Sequence, residues 1–206
     1  HTRYISVTGV QTCALPIFGS YFVAVDLAGF EEVAKQAANA KKRLDQTAIS
    51  VVKVTDDGKW FVKEIEYGRW DVRETAAKIL LKMRDYRPLS VGIEKGALKN
   101  AVLPYLSDLM RKSNVYSHIV DLTHGNRKKA DRIIWSLQGR FEHGRIVLNS
   151  EENWDEFIDQ LLLFPSIGVH DDLIDSLSYI DQLAVTSYFV DDQEDDWEPV
   201  DVISGV

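Results

Sequence analysis

Two short apolar runs, each ending in an acidic residue, constrain the fold of this 206-residue chain more than any other feature. They are Tyr21–Asp26 (YFVAVD) and Leu89–Glu94 (LSVGIE). Short runs of this kind are typical of strands that are buried on both faces of a sheet. Because the carboxyl ends of neighbouring parallel strands meet at one edge of a sheet, we expect Asp26 and Glu94 to lie close together.

The rest of the pattern alternates strands with helices. Asp57-Gly58 is a strong hairpin signal between the β-rich stretches Ala48–Val54 and Lys59–Tyr67. A hairpin followed by alternating elements implies an α/β fold with a mixed central sheet and helices on both faces. The further predicted elements are a helical or partly ordered excursion at Leu27–Leu44, helices at Val72–Tyr86, Leu98–Lys112, Lys128–Phe141, Trp154–Phe164 and Asp171–Leu183, and strands at His118–Leu122 and Arg145–Leu148.

The two ends of the chain differ from its middle. Residues 1–18 contain Val7–Ile17 (VTGVQTCALPI), which looks like the translation of a sequencing adapter, so we expect a non-native leader there. A signal peptide is the alternative, but no small-residue cleavage site follows. Residues 188–206 hold a run of like charge that is expected to stay solvated and disordered. The predicted domain therefore spans residues 19–187.

The amino-acid composition limits which kinds of partner and site this chain is expected to have. The 24 basic and 32 acidic residues give a net charge of −8, which by itself argues against a nucleic-acid partner. One cysteine excludes a disulfide framework and a multi-cysteine zinc site. No stretch has the ~18–20 uncharged apolar residues of a membrane helix, so no membrane partner is expected. Without its last sixteen residues the chain is nearly neutral, because that segment holds seven acids and no basic residue: Asp191, Asp192, Glu194, Asp195, Asp196, Glu198 and Asp201.

A third group of acids occurs near the end of the predicted domain. Asp172 and Asp175 are three residues apart and share one face of the predicted helix, with Asp171 just before them. Clustered carboxylates repel one another and take up protons unless a cation holds them together, and all-oxygen ligands select Mg²⁺ or Mn²⁺. Two such ions about 3.5–4 Å apart activate water for phosphodiester cleavage. Taken singly, Asp26 is also explained as a turn or cap residue, and one of Asp171 and Asp172 as a helix N-cap.

Basic residues accompany the acids. Lys128, Arg132 and Trp135 fall at helical spacing with Lys129 beside them, and Lys95 directly follows Glu94. Such cations bind phosphate groups without reading bases, so Lys95, Lys128, Lys129 and Arg132 are candidate DNA contacts. A solvated helix face is the alternative interpretation.

From Tyr21 to about Val185 the chain resembles the nuclease domain of the large terminase subunit, the DNA-packaging protein of tailed bacteriophages. The segments that carry the resemblance include VAVDLAG (23–29), VGIEKGALKNAVLPYL (91–106) and FPSIGVHDDLIDSLSYIDQ (164–182), of which HDDLIDSLSY is the most diagnostic. The resemblance implies a ribonuclease H-like fold and a two-metal endonuclease that cleaves concatemeric double-stranded DNA in the host cytoplasm. The implied partners are the terminase small subunit, the portal protein and an ATPase domain that this chain lacks, since it contains no G-x-x-x-x-G-K-[ST] motif.

The resemblance also implies roles for individual residues. Asp26, Glu94 and Asp172 match the catalytic acids that hold two Mg²⁺ or Mn²⁺ ions, and Asp171 and Asp175 are flanking metal ligands. Asp45 and His170 are possible additional ligands. Two alternatives stay open: a Holliday-junction resolvase or transposase with similar acids on the same fold, and a non-catalytic docking module of the packaging machinery.

Overall fold

The computed structural model describes residues 18–29, 46–123, 128–166 and 170–188. Most of the predicted excursion at 27–44, the leader and the tail lie outside these ranges. No helix within them has the length and apolarity needed to cross a membrane. The strands are β1 (Ser20–Asp26), β2 (Thr47–Val54), β3 (Trp60–Gly68), β4 (Ser90–Glu94), β5 (His118–Leu122) and β6 (Ile146–Leu148). The helices are α1 (Val72–Tyr86), α2 (Ala97–Ser113), α3 (Lys129–Glu142), α4 (Asp155–Leu163), α5 (Asp172–Ser178) and α6 (Ile180–Tyr188).

The strands form one mixed sheet in the order β5-β4-β1-β2-β3-β6. β2 runs antiparallel to β1 and β3, whereas β4 is parallel to β1 and β5, and β6 is parallel to β3. The predicted turn joins β2 to β3, with Gly58 in the left-handed region at φ 77°. The mixed sheet expected from the sequence is therefore confirmed.

Two hydrophobic cores lie on opposite faces of this sheet. Val23 and Val25 of β1 belong to the core that α1 and α2 cover, whereas Phe22 and Ala24 belong to the core that α3 to α6 cover. Successive side chains of a strand point to opposite faces, so Asp26 continues the series of Phe22 and Ala24. The acid at the end of β1 therefore faces the layer formed by α3 to α6.

Helix α5 lies close against β2 because two small side chains meet at the contact. The Oγ atoms of Ser50 and Ser176 are hydrogen-bonded at 2.7 Å, and both residues are fully buried. Leu173, Ile174 and Leu177 fill the core around this contact. This packing determines the distance between the helix and the sheet. It therefore also determines the position of the acids in the first turn of α5.

The helix predicted at Asp171–Leu183 is two helices, α5 and α6, with Tyr179 between them. The Ser176 hydroxyl donates to the Leu173 carbonyl at 2.9 Å, and the Ser178 hydroxyl donates to the Asp175 carbonyl at 2.7 Å. Hydroxyls in such positions compete with backbone N–H groups for the same carbonyls and loosen a helix. The Tyr179 N–H consequently reaches the Asp175 carbonyl only at a long 3.3 Å.

Gly92 of β4 is required by close packing. A Cβ atom at this position would lie 2.6 Å from Cδ2 of the fully buried Leu122 on β5. We expect Gly92→Ala to lower the free energy of unfolding by about 1–3 kcal/mol, because Leu122 has no empty space to move into. Urea unfolding measures this effect. As a matched control, Gly139→Ala adds the same methyl group to α3, where nothing lies within 4 Å, and should stabilise the protein by up to about 1 kcal/mol. Equal effects of the two substitutions would contradict the packing argument.

Candidate metal centre

Asp26 and Glu94 meet at the carboxyl ends of two neighbouring parallel strands. The last paired residues of β1 and β4 are Val25 and Ile93, so the two acids follow side by side. Their carboxyl groups are joined by a hydrogen bond. Asp26 is only 8% exposed, on the sheet face that α3 to α6 cover. The structure thus brings these two acids together as the strand pattern predicts.

The environment of Asp26 disfavours its negative charge. Burial is the main cause that raises the pKa of Asp26 well above its usual range, followed by the Asp175 carboxylate and the hydrogen bond with Glu94. The Lys129 ammonium acts in the opposite direction. Two carboxyl groups in contact share a proton unless a cation replaces it, which is the behaviour expected of a cation site.

Asp175 of α5 is the third acid that couples to this pair. Its side chain is 1% exposed. Arg132 Nη2 donates to Oδ1 of Asp175 at 2.5 Å, Ser178 Oγ lies 3.3 Å from the same oxygen, and Lys129 Nζ lies 2.9 Å from Oδ2. Both oxygens of this buried carboxyl group therefore have a cationic partner, as a buried acid requires.

Arg132 of α3 is part of the support for Asp175. It is 9% exposed, and its Nη1 donates to Ser178 Oγ at 2.9 Å. Its guanidinium lies 4.1 Å from the ring centroid of the buried Tyr179, whose pKa burial and the Asp175 carboxylate raise above the ordinary value. These contacts commit the guanidinium to the protein interior, whereas the sequence predicted a DNA contact on an exposed basic face. Trp135, predicted on the same face as Arg132, is 74% exposed.

Lys129, the first residue of α3, bridges two of the acids. Its Nζ lies 2.8 Å from Asp171 Oδ1 and 2.9 Å from Asp175 Oδ2. Burial works against the ammonium, but the carboxylates of Asp175, Asp171 and Asp26 raise the pKa of Lys129 above its ordinary value. The cation therefore lies within the field of all three acids.

Asp172, the acid that the resemblance assigns as the third catalytic residue, takes different partners. Its Oδ2 accepts the backbone N–H of Gln46 at 3.0 Å and lies 3.5 Å from Nδ1 of His170. His170 and Asp171 also line a cleft of about 200 Å³ together with Lys129 and Phe164. Asp172 thus contacts Gln46 and His170, and Asp175 is an acid of α5 whose charge acts on Asp26.

The other predicted site residues have distinct placements. Lys95 follows Glu94 at the end of β4 and is exposed, with its backbone N–H bonded to the Leu122 carbonyl at 2.9 Å. Lys128 is exposed at the start of α3. Asp45 lies outside the described residues. The supporting contacts of Gln46, Ser178 and Tyr179 were missed from the sequence, since no local pattern links them to acids far away in the chain.

The donor set fits a hard divalent cation. The converging groups are carboxylate oxygens, which Mg²⁺ and Mn²⁺ prefer as ligands. The Lys129 ammonium forms ion pairs with two of these carboxylates, those of Asp171 and Asp175. Within the described ranges, no three His, Cys, Asp or Glu side chains have the mutual spacing of a complete ligand set. Binding of an ion by these carboxylates would therefore require a local rearrangement of side chains.

Comparison with known proteins supports the fold. No protein-family model and no curated protein sequence matches the chain. A large terminase from a thermophilic bacteriophage superposes with a TM-score of 0.54 and 12% identity, over 85% of this chain and 41% of that one. The large terminase nuclease from thermophilic phage G20c with bound magnesium gives a TM-score of 0.52 and 17% identity, over 80% and 81% of the two chains.

A Holliday-junction enzyme overlaps more loosely. RuvC of T. thermophilus, in complex with a Holliday junction substrate, gives a TM-score of 0.47 and 12% identity over 82% of this chain and 96% of that one, too little to support an argument. At these identities the comparisons establish the fold alone. The ribonuclease H-like mixed sheet with helices on both faces, predicted from the sequence, is confirmed.

Proposed function

We propose that this chain is a divalent-cation-dependent nuclease that hydrolyses phosphodiester bonds of double-stranded DNA. The observation that carries the proposal is the contact between Asp26 and Glu94 at adjacent strand ends, with Asp175 acting on Asp26 from the helix above. Three stretches of chain that are distant in sequence supply these acids. A structural role alone gives no reason to bring two buried carboxyl groups and a half-buried one together.

The proposed ligands are Asp26, Glu94 and Asp175, with Asp171 and Asp172 as further ligands of a pair of Mg²⁺ or Mn²⁺ ions. When bound, the ions supply an activated water and neutralise charge at the phosphate. Because burial and neighbouring carboxylates raise the pKa of Asp26, binding of a cation there would be coupled to loss of its proton. Arg132 holds Asp175 in a fixed orientation through its bond to Oδ1.

Exposed cations at the same edge of the sheet are the proposed DNA contacts. Lys95 and Lys128 are exposed and can contact phosphate groups, which they would bind without reading bases.

The fold shared with the large terminases of two thermophilic phages supports a terminase-type role in cutting concatemeric DNA during genome packaging. The small subunit, the portal protein and a separate ATPase domain are the partners expected in that role.

Metal removal tests the proposal directly. We expect supercoiled plasmid to be nicked and linearised in Mn²⁺ or Mg²⁺, and to stay intact in EDTA. A four-way junction and a linear duplex of equal length form the second arm: comparable cleavage supports the terminase-type role, whereas cleavage of the junction alone supports a resolvase. Intact DNA of every form in both metals would reject the nuclease and favour the docking module.

A further inference from the structure

The lysine at the start of α3 takes the place that a divalent ion would need. Lys129 Nζ contacts Asp171 and Asp175 at 2.8 and 2.9 Å, and its charge also acts on Asp26. Lys95 and Lys128 are exposed, and among the described residues the ion pairs of Asp171 and Asp175 are with Lys129 and Arg132 instead. Lys129 thus differs from its neighbours in having the acids as its direct partners.

We propose that Lys129 is a built-in counter-cation that stabilises the ion-free site and is displaced when a divalent ion binds. The proposal rests on the function proposed above and adds how occupancy of the site is regulated. An ammonium and a divalent ion seek the same carboxylate oxygens, so one must leave when the other arrives. Lys129 therefore lowers the apparent affinity of the free protein for metal.

The exposure of the two cations decides which one moves. The Lys129 side chain is 42% exposed and flexible, so it can turn outward into solvent without leaving a buried charge. The Arg132 side chain is 10% exposed and is fixed by Ser178 and the ring of Tyr179. Arg132 keeps its bond to Asp175 while Lys129 is released.

Release of Lys129 also couples the site to DNA. A phosphate group at the edge of the sheet offers the displaced ammonium a new partner. Anything that draws Lys129 away from Asp171 and Asp175 raises the metal affinity, and by linkage bound metal raises the DNA affinity. The nuclease would then load its ions preferentially when DNA is present.

Mn²⁺ binding in the absence of DNA tests the proposal, measured by electron paramagnetic resonance of the free ion or by calorimetry. We expect Lys129→Met, which keeps the aliphatic stem, to bind Mn²⁺ about tenfold more tightly than the wild type, because a competing charge is gone. Lys129→Arg keeps the positive charge, so it should bind Mn²⁺ more weakly than Lys129→Met does. Lys128→Met removes the same charge one residue away and should change the affinity less than about threefold.

Thermal unfolding supplies a second measurement that needs no catalysis. In EDTA, Lys129→Met should melt below the wild type, because Asp171 and Asp175 lose their counter-ion, and Mg²⁺ should raise its melting temperature more than that of the wild type. Equal Mn²⁺ affinities of wild type and Lys129→Met would overturn the role of Lys129 and leave the nuclease intact. A wild type that binds no Mn²⁺ would overturn both.

Discussion

Replacing Asp26 by asparagine should reduce plasmid cleavage in Mn²⁺ by at least about a thousandfold, equivalent to about 4 kcal/mol of transition-state stabilisation. Asparagine fills the same volume but removes the anionic oxygen that a cation needs. The fold should be unaffected, because burial, Asp175 and Glu94 already raise the pKa of Asp26 and disfavour its charge. In EDTA the melting temperature of Asp26→Asn should therefore equal or exceed that of the wild type.

Asp121→Asn is the matched control for this substitution. Asp121 lies on β5 in register with Ile93 of β4, and its side chain pairs with Lys99 on the opposite helix layer. It is an acid near the same strand ends, but on the face away from the cluster. Cleavage by Asp121→Asn should match the wild type. If Asp26→Asn nicks plasmid at the wild-type rate, the assignment of Asp26 as a ligand is wrong.

Removing the buried guanidinium should produce the largest loss of stability. Arg132→Met leaves the Asp175 carboxylate, 1% exposed, without the partner of its Oδ1. Breaking a buried pair by deleting one charge typically costs about 3–5 kcal/mol. Lys129 remains as a second cation, so we expect a loss of about 3 kcal/mol in the free energy of unfolding, measured in urea with EDTA present.

A double substitution separates the contribution of the Arg132 charge to stability from the contribution of its packing. Arg132→Met combined with Asp175→Asn removes both members of the pair, and much of the lost stability should return because no uncompensated charge stays buried. Arg111→Met breaks only the exposed pair with Asp108 and serves as the control, with an unchanged unfolding curve. A double variant as unstable as Arg132→Met would mean that packing of the guanidinium, and not its charge, dominates.

The strand-end acids could be predicted from sequence because their evidence is local. Each follows an apolar run, and the pairing of two parallel strands suffices to bring Asp26 beside Glu94. The action of the Asp175 charge on Asp26 could not be predicted in this way. It depends on how α5 is rotated against β2, which is set by the contact of Ser176 with Ser50, 126 residues apart in the chain.

Helix α3 shows the same limit of prediction from local sequence patterns. Helical spacing put Arg132 and Trp135 on one exposed face, yet the arginine is buried and the tryptophan is exposed. A buried arginine needs an acidic partner, and that partner, Asp175, lies 43 residues further along the chain. Periodicity alone places both residues on one face, because it contains no information about this long-range ion pair.

The serine pair between β2 and α5 links the position of the proposed ligands to the packing of the helix on the sheet. Ser50 and Ser176 are fully buried and in direct contact, so a bulkier residue at either position is expected to push the helix away from the sheet. Asp172 and Asp175 would then move as one unit away from the strand ends. The position of these proposed ligands would thus depend on two small buried residues that lie beneath the helix.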